Sequence, residues 1–307
     1  MKISKLYLSL FVLALLAPAV LYPVFLMKVL CFALFACAFN LLLGFVGLLS
    51  FGHAIFLGTG GYITGVLMLN TGLTPELGIL AGTIAAGLLG AVYGKLAVKR
   101  EGIYFAMVTL ALAQLAFFFY LQAPFTGGED GLQGVPRGHL FGVFDLSDNN
   151  TMYYFVLAIF IFGFWMIHRT IHSPFGQILK AIRENEPRAV SLGYNVNDYK
   201  WVAFIISSAL AGLAGSTKTL VFQLASLTDV HWHMSGEVVL MTLLGGMGTI
   251  FGPVVGAGVV VTIQNYLSGG ELGNYIHIIM GLIFIVCVLA FRSGIVGEFQ
   301  KMVKKNF

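Results

Sequence analysis

From Val29 to Gly94 the chain carries one acidic or basic side chain, Glu76. A Lys, Arg or Asp at the centre of a membrane helix costs about 2.5–3.5 kcal/mol on insertion, so long charge-free stretches are what a bilayer selects. A soluble domain has about 25% charged residues; this chain has 10%, beside 58% hydrophobic ones. With a mean hydropathy of +0.91, it must hide most of its surface from water, and lipid is the solvent that permits this. The thirty-eight glycines suit helices that approach closely through small residues. The expected fold is an all-α polytopic membrane protein with about 8–10 transmembrane helices, broken or re-entrant ones among them. It forms a single transmembrane domain over 1–307, with possible inverted repeats.

Windows of about 20 apolar residues place spans near 6–27, 29–48, 52–70, 77–95, 103–122, 150–168, 201–221, 238–264 and 274–291. The first follows Lys2 and Lys5 and continues past Ala17-Pro18-Ala19, so it reads as an uncleaved span rather than a signal peptide. With both termini in the cytoplasm, the inside segments hold fourteen of the seventeen basic residues, as the positive-inside rule requires. The long inner loop is then 169–200 and the long outer loop 123–149. Lys218, near the outer end of its span, is expected to extend to the interface.

Parity adds a constraint. Nine full crossings would leave the basic C-terminal segment outside. The conflict disappears if 238–264 enters and returns on one side, and Leu244 to Pro253 holds four glycines and a proline, which weaken a helix there. A broken or re-entrant hairpin is expected, with two full spans as the alternative. A second glycine-rich stretch, Gly52-His53 to Gly65, lies in the other half of the chain. Corresponding interrupted helices point to a transport path between repeats. The plainer reading is close packing through Gly61xxxGly65, Gly78xxxGly82, Gly90xxxGly94 and Gly248xxxGly252xxxGly256.

In the inner loop, Phe175, Ile178, Leu179 and Ile182 fall on one helical face, opposite Lys180, Arg183 and Glu184. Pro187 closes that helix or opens another, and Gly193 fits a C-terminal stop. Such a helix rests on lipid or docks on a partner. There is no G-x-x-x-x-G-K-[ST] phosphate loop. His231-Trp232-His233 lacks convergent partners, so no metal is expected. The three cysteines, Cys31, Cys37 and Cys287, read as small packing residues. His53 and His277 fall at membrane depth, where an ionisable group marks a functional position by default; a neutral, hydrogen-bonded histidine is the plainer reading.

The runs Gly47-Leu48-Leu49-Ser50-Phe51-Gly52-His53-Ala54, Gly102 to Leu110, Thr126 to Leu132, Ala181 to Glu186, and Leu244 to Pro253 resemble the LivM type of branched-chain amino acid ABC transporter permease. The resemblance runs from about 29 to 291. It implies a bacterial inner-membrane subunit that works with a second, LivH-like permease, two ATP-binding subunits and a periplasmic amino-acid-binding protein. ATP and Mg would reside on the ATP-binding subunits, with no cofactor on this chain and no nucleic acid partner. It further implies that Ala181 to Gly193 couples to the ATPase. Ala189 and Gly193 keep their places in the general importer motif, whereas Pro187 stands where Glu is expected and Glu186 lies one residue early.

On this reading Arg183, Glu184 and Asn185 contact the ATPase at a polar rim, with Phe175, Ile178 and Ile182 as its apolar core. The path residues are expected to be Ser50, His53, Thr109, Gln114, Gly245, Gly246 and Thr249, where small residues leave room for an aliphatic substrate and half-helix N–H groups meet its carboxylate. A permease for urea or short amides, an ion-coupled secondary transporter, and a structural membrane protein are the alternatives. The near absence of acids at membrane depth argues against ion coupling.

Overall fold

The structure is a computed structural model that describes residues 13–142, 144–268, 276–290 and 294–298. Among them, six helices are long and apolar enough to cross a membrane. They are α1 (Pro23–Asn40, continued by a π-helical turn over Leu41–Val46), α2 (Ala54–Thr71), α3 (Pro75–Ala97), α4 (Gly102–Gln122), α5 (Asn149–His172) and α8 (Val196–Phe222). Shorter helices are α6 (Pro174–Glu184), α7 (Glu186–Ser191), α9 (Trp232–Gly245), α10 (Gly252–Ser268) and α11 (Ile276–Ala290). The chain is an all-α, multi-pass membrane protein.

The boundary between the first two expected spans lies earlier than expected. No break falls between Met27 and Val29, and Lys28 lies inside α1. The chain turns earlier, after a 3-10 turn at Ala17–Ala19, and Pro23 opens α1 where its missing N–H is harmless. The N-terminal part of the 6–27 span, and the side chains of His277 and Cys287, lie outside the described residues.

α1 is the central helix: 83% of its apolar window is enclosed, against 28% for α4. Around it, α2, α3 and α8 form the tightest stack. A Cβ at Gly60 would overlap the Gly212 carbonyl, and one at Gly215 would overlap the Leu57 carbonyl. Along α3, Gly82 and Gly90 sit on Ser216 and Ser208 of α8, while Gly94 meets Phe204 and Trp201. Close approach of this kind gives dispersion contact where lipid offers no hydrophobic driving force. The opposite side of α3 presents Leu80, Ile84, Leu88, Val92 and Leu96 outward, one per turn.

At one end of the bundle, Leu132 and Val135 pack on Gly65 of α2. Strand β1 (Leu132–Gln133) pairs antiparallel with β4 (Leu224–Ala225), and β2 (His139–Leu140) with β3 (Phe144–Asp145). Asp148 caps α5 by accepting the Thr151 N–H. Lys218 lies near the C-terminal end of α8. It pairs with Asp229 and lies 5.7 Å from the Phe32 ring and 5.9 Å from the Phe222 ring. The turn after α8 folds back against α2, which places Val230 on Gly58.

Candidate functional site

Both glycine-broken stretches interrupt helices of the bundle. His53 opens α2 beside Ser207 of α8. Ser207 is eleven residues beyond the start of α8, roughly 16 Å along the helix. The segment 47–53 is therefore non-helical well inside the span. Such backbone survives only where protein satisfies it, and here side chains do. Thr109 Oγ1 accepts the Phe51 N–H, Ser50 Oγ accepts the Gly52 N–H, and Ser235 Oγ accepts the Ala54 N–H. Ser50, His53 and Thr109 are buried. The His53 imidazole is ringed by Phe35, Phe39, Phe56 and Phe204, with Nε2 3.0 Å from Ser207 Oγ and Nδ1 without a hydrogen-bond partner among the described residues.

The second stretch is a hairpin. α9 and α10 run antiparallel, so Gly256 meets Met241 and Gly252 meets Gly245 and Gly246. At 14 residues, α9 spans about 21 Å, short of the roughly 30 Å of hydrocarbon. Thr249 finishes the tip: its hydroxyl donates to the Gly246 carbonyl and accepts the Gly252 N–H. Gly245, Gly246 and Thr249 thus come together, and so do Ser50, His53 and Thr109. Gln114 lies half-buried further along α4 and joins neither group.

The hairpin tip is held by a residue that sequence reasoning passed over. Asn40, at the end of α1, donates its side-chain N–H to the Thr249 carbonyl (2.9 Å) and accepts the Gly248 N–H (3.0 Å). Nothing in an apolar run marks one asparagine as a clamp. Only its rarity there was a signal, since a buried amide demands partners. Between α9, α10 and α11 lies a cavity of about 470 Å³, lined by Leu240, Val260 and Met280 together with His233, Glu237 and Gln264.

The segment 173–195 projects from the end that holds this tip. Ser173 caps α6 through the Gly176 N–H, and Asn185 caps α7 through the Arg188 N–H. The apolar face of α6 is not open to a partner, as had been expected. Ile182 is buried with Ala189 and Val196, Ile178 packs beside them, and Phe175 stacks on Tyr199 at 5.7 Å. An amphipathic helix covers its apolar face with the nearest apolar surface, and here that surface is its own chain. Glu186 is likewise occupied, by buried Lys200 at 2.5 Å. Arg183 is exposed over part of its surface, yet its guanidinium donates to the Gly44 carbonyl. Glu184, Asn185 and Gly193 are exposed, as are Val190, Leu192 and Tyr194.

The geometry is that of a membrane permease core with an external helical segment seated against two interrupted helices. The chain belongs to the family described as branched-chain amino acid transport system / permease component, which matches residues 23–288. It is 26% identical to the high-affinity branched-chain amino acid transport system permease protein LivM of Escherichia coli K12, covering 96% of this chain and 76% of that one. The LivH permease of the same organism is 25% identical over 87% of this chain and 91% of its own length. The ribose import permease protein RbsC of Bacillus subtilis is 26% identical over 80% and 81%. No solved structure matches the chain significantly.

Proposed function

We propose that this chain is a permease subunit of an ATP-driven importer that carries branched-chain amino acids across the bacterial inner membrane, with the segment 173–195 in the cytoplasm. It pairs with a LivH-like permease, two ATP-binding subunits that hold ATP and Mg, and a periplasmic amino-acid-binding protein. The observation that carries the reading is the position of 173–195. A capped helical pair, exposed at Glu184, Asn185, Val190 and Leu192, sits on the end of the bundle where the glycine hairpin ends. Nucleotide-driven movement of this pair would shift the backbone around 44–53 and 245–252 without any hydrolytic residue on this chain.

The docking surface is then not the α6 apolar face but the outward side of 184–194. Val190 and Leu192 supply its apolar centre, and Glu184 and Asn185 its polar edge. Ser50, His53, Thr109, Gln114, Gly245, Gly246 and Thr249 remain the proposed neighbours of the path. Reconstitution with the four partner proteins tests the reading: leucine uptake should require ATP and the binding protein. Leu192→Asp should release the ATP-binding subunits while the permease pair stays intact. Uptake in their absence would refute it. Ribose-permease relatives favour one specific second reading, a sugar as cargo, and competition between leucine and ribose separates the two.

A further inference from the structure

Arg183 sits where three moving parts would have to meet. It belongs to the last turn of α6, yet its Nη1 donates to the carbonyl of Gly44, in the π-helical turn that ends α1. A helix leaves its last carbonyls without intrahelical partners, and a cation there also meets the negative end of the helix dipole. The same guanidinium lies against the tip of the α9–α10 hairpin: a Cβ on Gly248 would stand 3.0 Å from Nη1 and 3.2 Å from the Gly44 oxygen. Behind it, Asn40 ties Gly248 and Thr249 to α1. The stem of Arg183 lies over Gly47, where a Cβ would stand 3.3 Å from its Cγ. One turn earlier, the Lys180 ammonium lies 5.9 Å from the Phe45 ring.

These contacts require glycine. Gly47 and Gly248 adopt φ of +84° and +78°, the left-handed region that side chains disfavour. A Cβ on Gly44 would strike Asn40 Oδ1 and come within 2.6 Å of the Gly248 nitrogen. Both glycine-broken stretches are thus pared to backbone where the arginine enters. Arg183 is itself exposed, as are Glu184 and Asn185, so what sets it apart is the engagement of its guanidinium with Gly44 and Gly248.

We infer that Arg183 is the positioning residue through which displacement of the 173–195 segment reaches the hairpin tip and the end of α1, and that it is not a contact to the ATP-binding subunits. This rests on the importer reading above. A planar guanidinium holds a carbonyl and fills a backbone cleft in one fixed geometry, which a lysine ammonium does not reproduce.

The test uses the complete importer reconstituted in liposomes, with wild type, R183Q, R183K and G248A. Gly248 lies outside the docking segment, so it reports the link without touching any partner surface. Three quantities are measured: co-purification of the ATP-binding subunits, ATP turnover with and without loaded binding protein, and leucine accumulated per ATP. R183Q and G248A should retain the ATP-binding subunits and hydrolyse ATP, with leucine per ATP falling at least about tenfold, as loss of 1.4 kcal/mol of coupling would give. R183K should fall between them and wild type. Wild-type yield per ATP in R183Q or G248A would overturn the inference. So would loss of the ATP-binding subunits from R183Q, which makes Arg183 a docking residue. Failure of both variants to assemble would make its role structural and overturn it equally. A wild-type complex that imports no leucine with ATP would instead defeat the importer reading.

Discussion

The side-chain oxygen of Asn40 accepts the backbone N–H of Gly248 at 3.0 Å, joining residues 208 positions apart. The same amide donates to the carbonyl of Thr249. One polar residue in the most enclosed helix thereby secures a loop that has few side chains of its own to pack. The hairpin tip follows α1 because of it.

Asn40→Leu leaves the Gly248 N–H and the Thr249 carbonyl without this partner. A buried group stripped of its hydrogen bond costs about 1–3 kcal/mol. The purified variant should lose thermal stability by that amount, and labelling of a cysteine at position 250 should accelerate. Unchanged melting and labelling would show that the clamp is dispensable.

The glycine stack makes a contrast between two substitutions of the same kind. Gly215→Ala drives a methyl into the Leu57 carbonyl, and overpacking of this sort costs about 1–3 kcal/mol or more. Gly258→Ala, on α10, meets nothing within 4 Å among the described residues and should be neutral or stabilise by about 0.5–1 kcal/mol through helix propensity. Monodispersity after detergent extraction and the melting temperature measure both. Equal behaviour would mean that close packing does not hold α2 to α8.

Removing one member of the Lys218–Asp229 pair strands a charge in a buried place, where single deletions cost about 3–5 kcal/mol. Lys218→Met and Asp229→Leu should each destabilise the protein strongly, and the double variant should recover much of the loss. A double-mutant cycle on thermal unfolding reads the coupling. Additive losses would indicate that the two side chains act independently.

Asp148 lies at the water-exposed end of α5, and hydrogen bonds from the Thr151 backbone N–H and hydroxyl hold its carboxyl below the ordinary value of 3.8. A depressed carboxyl contributes stability that is complete above the unfolded value and is lost as pH falls through the folded one. The α5 N-terminus should therefore fray only below about pH 4, visible as faster amide exchange at 149–152. Asp148→Asn should keep the cap and remove this acid sensitivity; a variant with the wild-type profile would exclude the carboxyl as its source.

The spans were legible because lipid imposes one rule everywhere. Five of the expected windows, at 52–70, 77–95, 103–122, 150–168 and 201–221, contain or closely match α2, α3, α4, α5 and α8. The break between Gly245 and Gly252 was legible for a local reason as well, since glycine and proline weaken a helix whatever surrounds them. The amphipathic face of α6 was readable as a face, but not what covers it. Periodicity states that Ile182 is buried and is silent on whether the burying surface belongs to this chain or to another.

Sequence alone thus determined the solvent, the helices, the interruption and the family pattern, because each follows from side-chain chemistry within one turn or one window. Tertiary structure alone decided that Arg183 donates to Gly44, that Glu186 is taken by Lys200, and that Asn40 clamps a loop two hundred residues away. Those pairings depend on which backbones approach closely enough to exchange a hydrogen bond. That distance is set by helix packing in three dimensions, and no local run of residues encodes it.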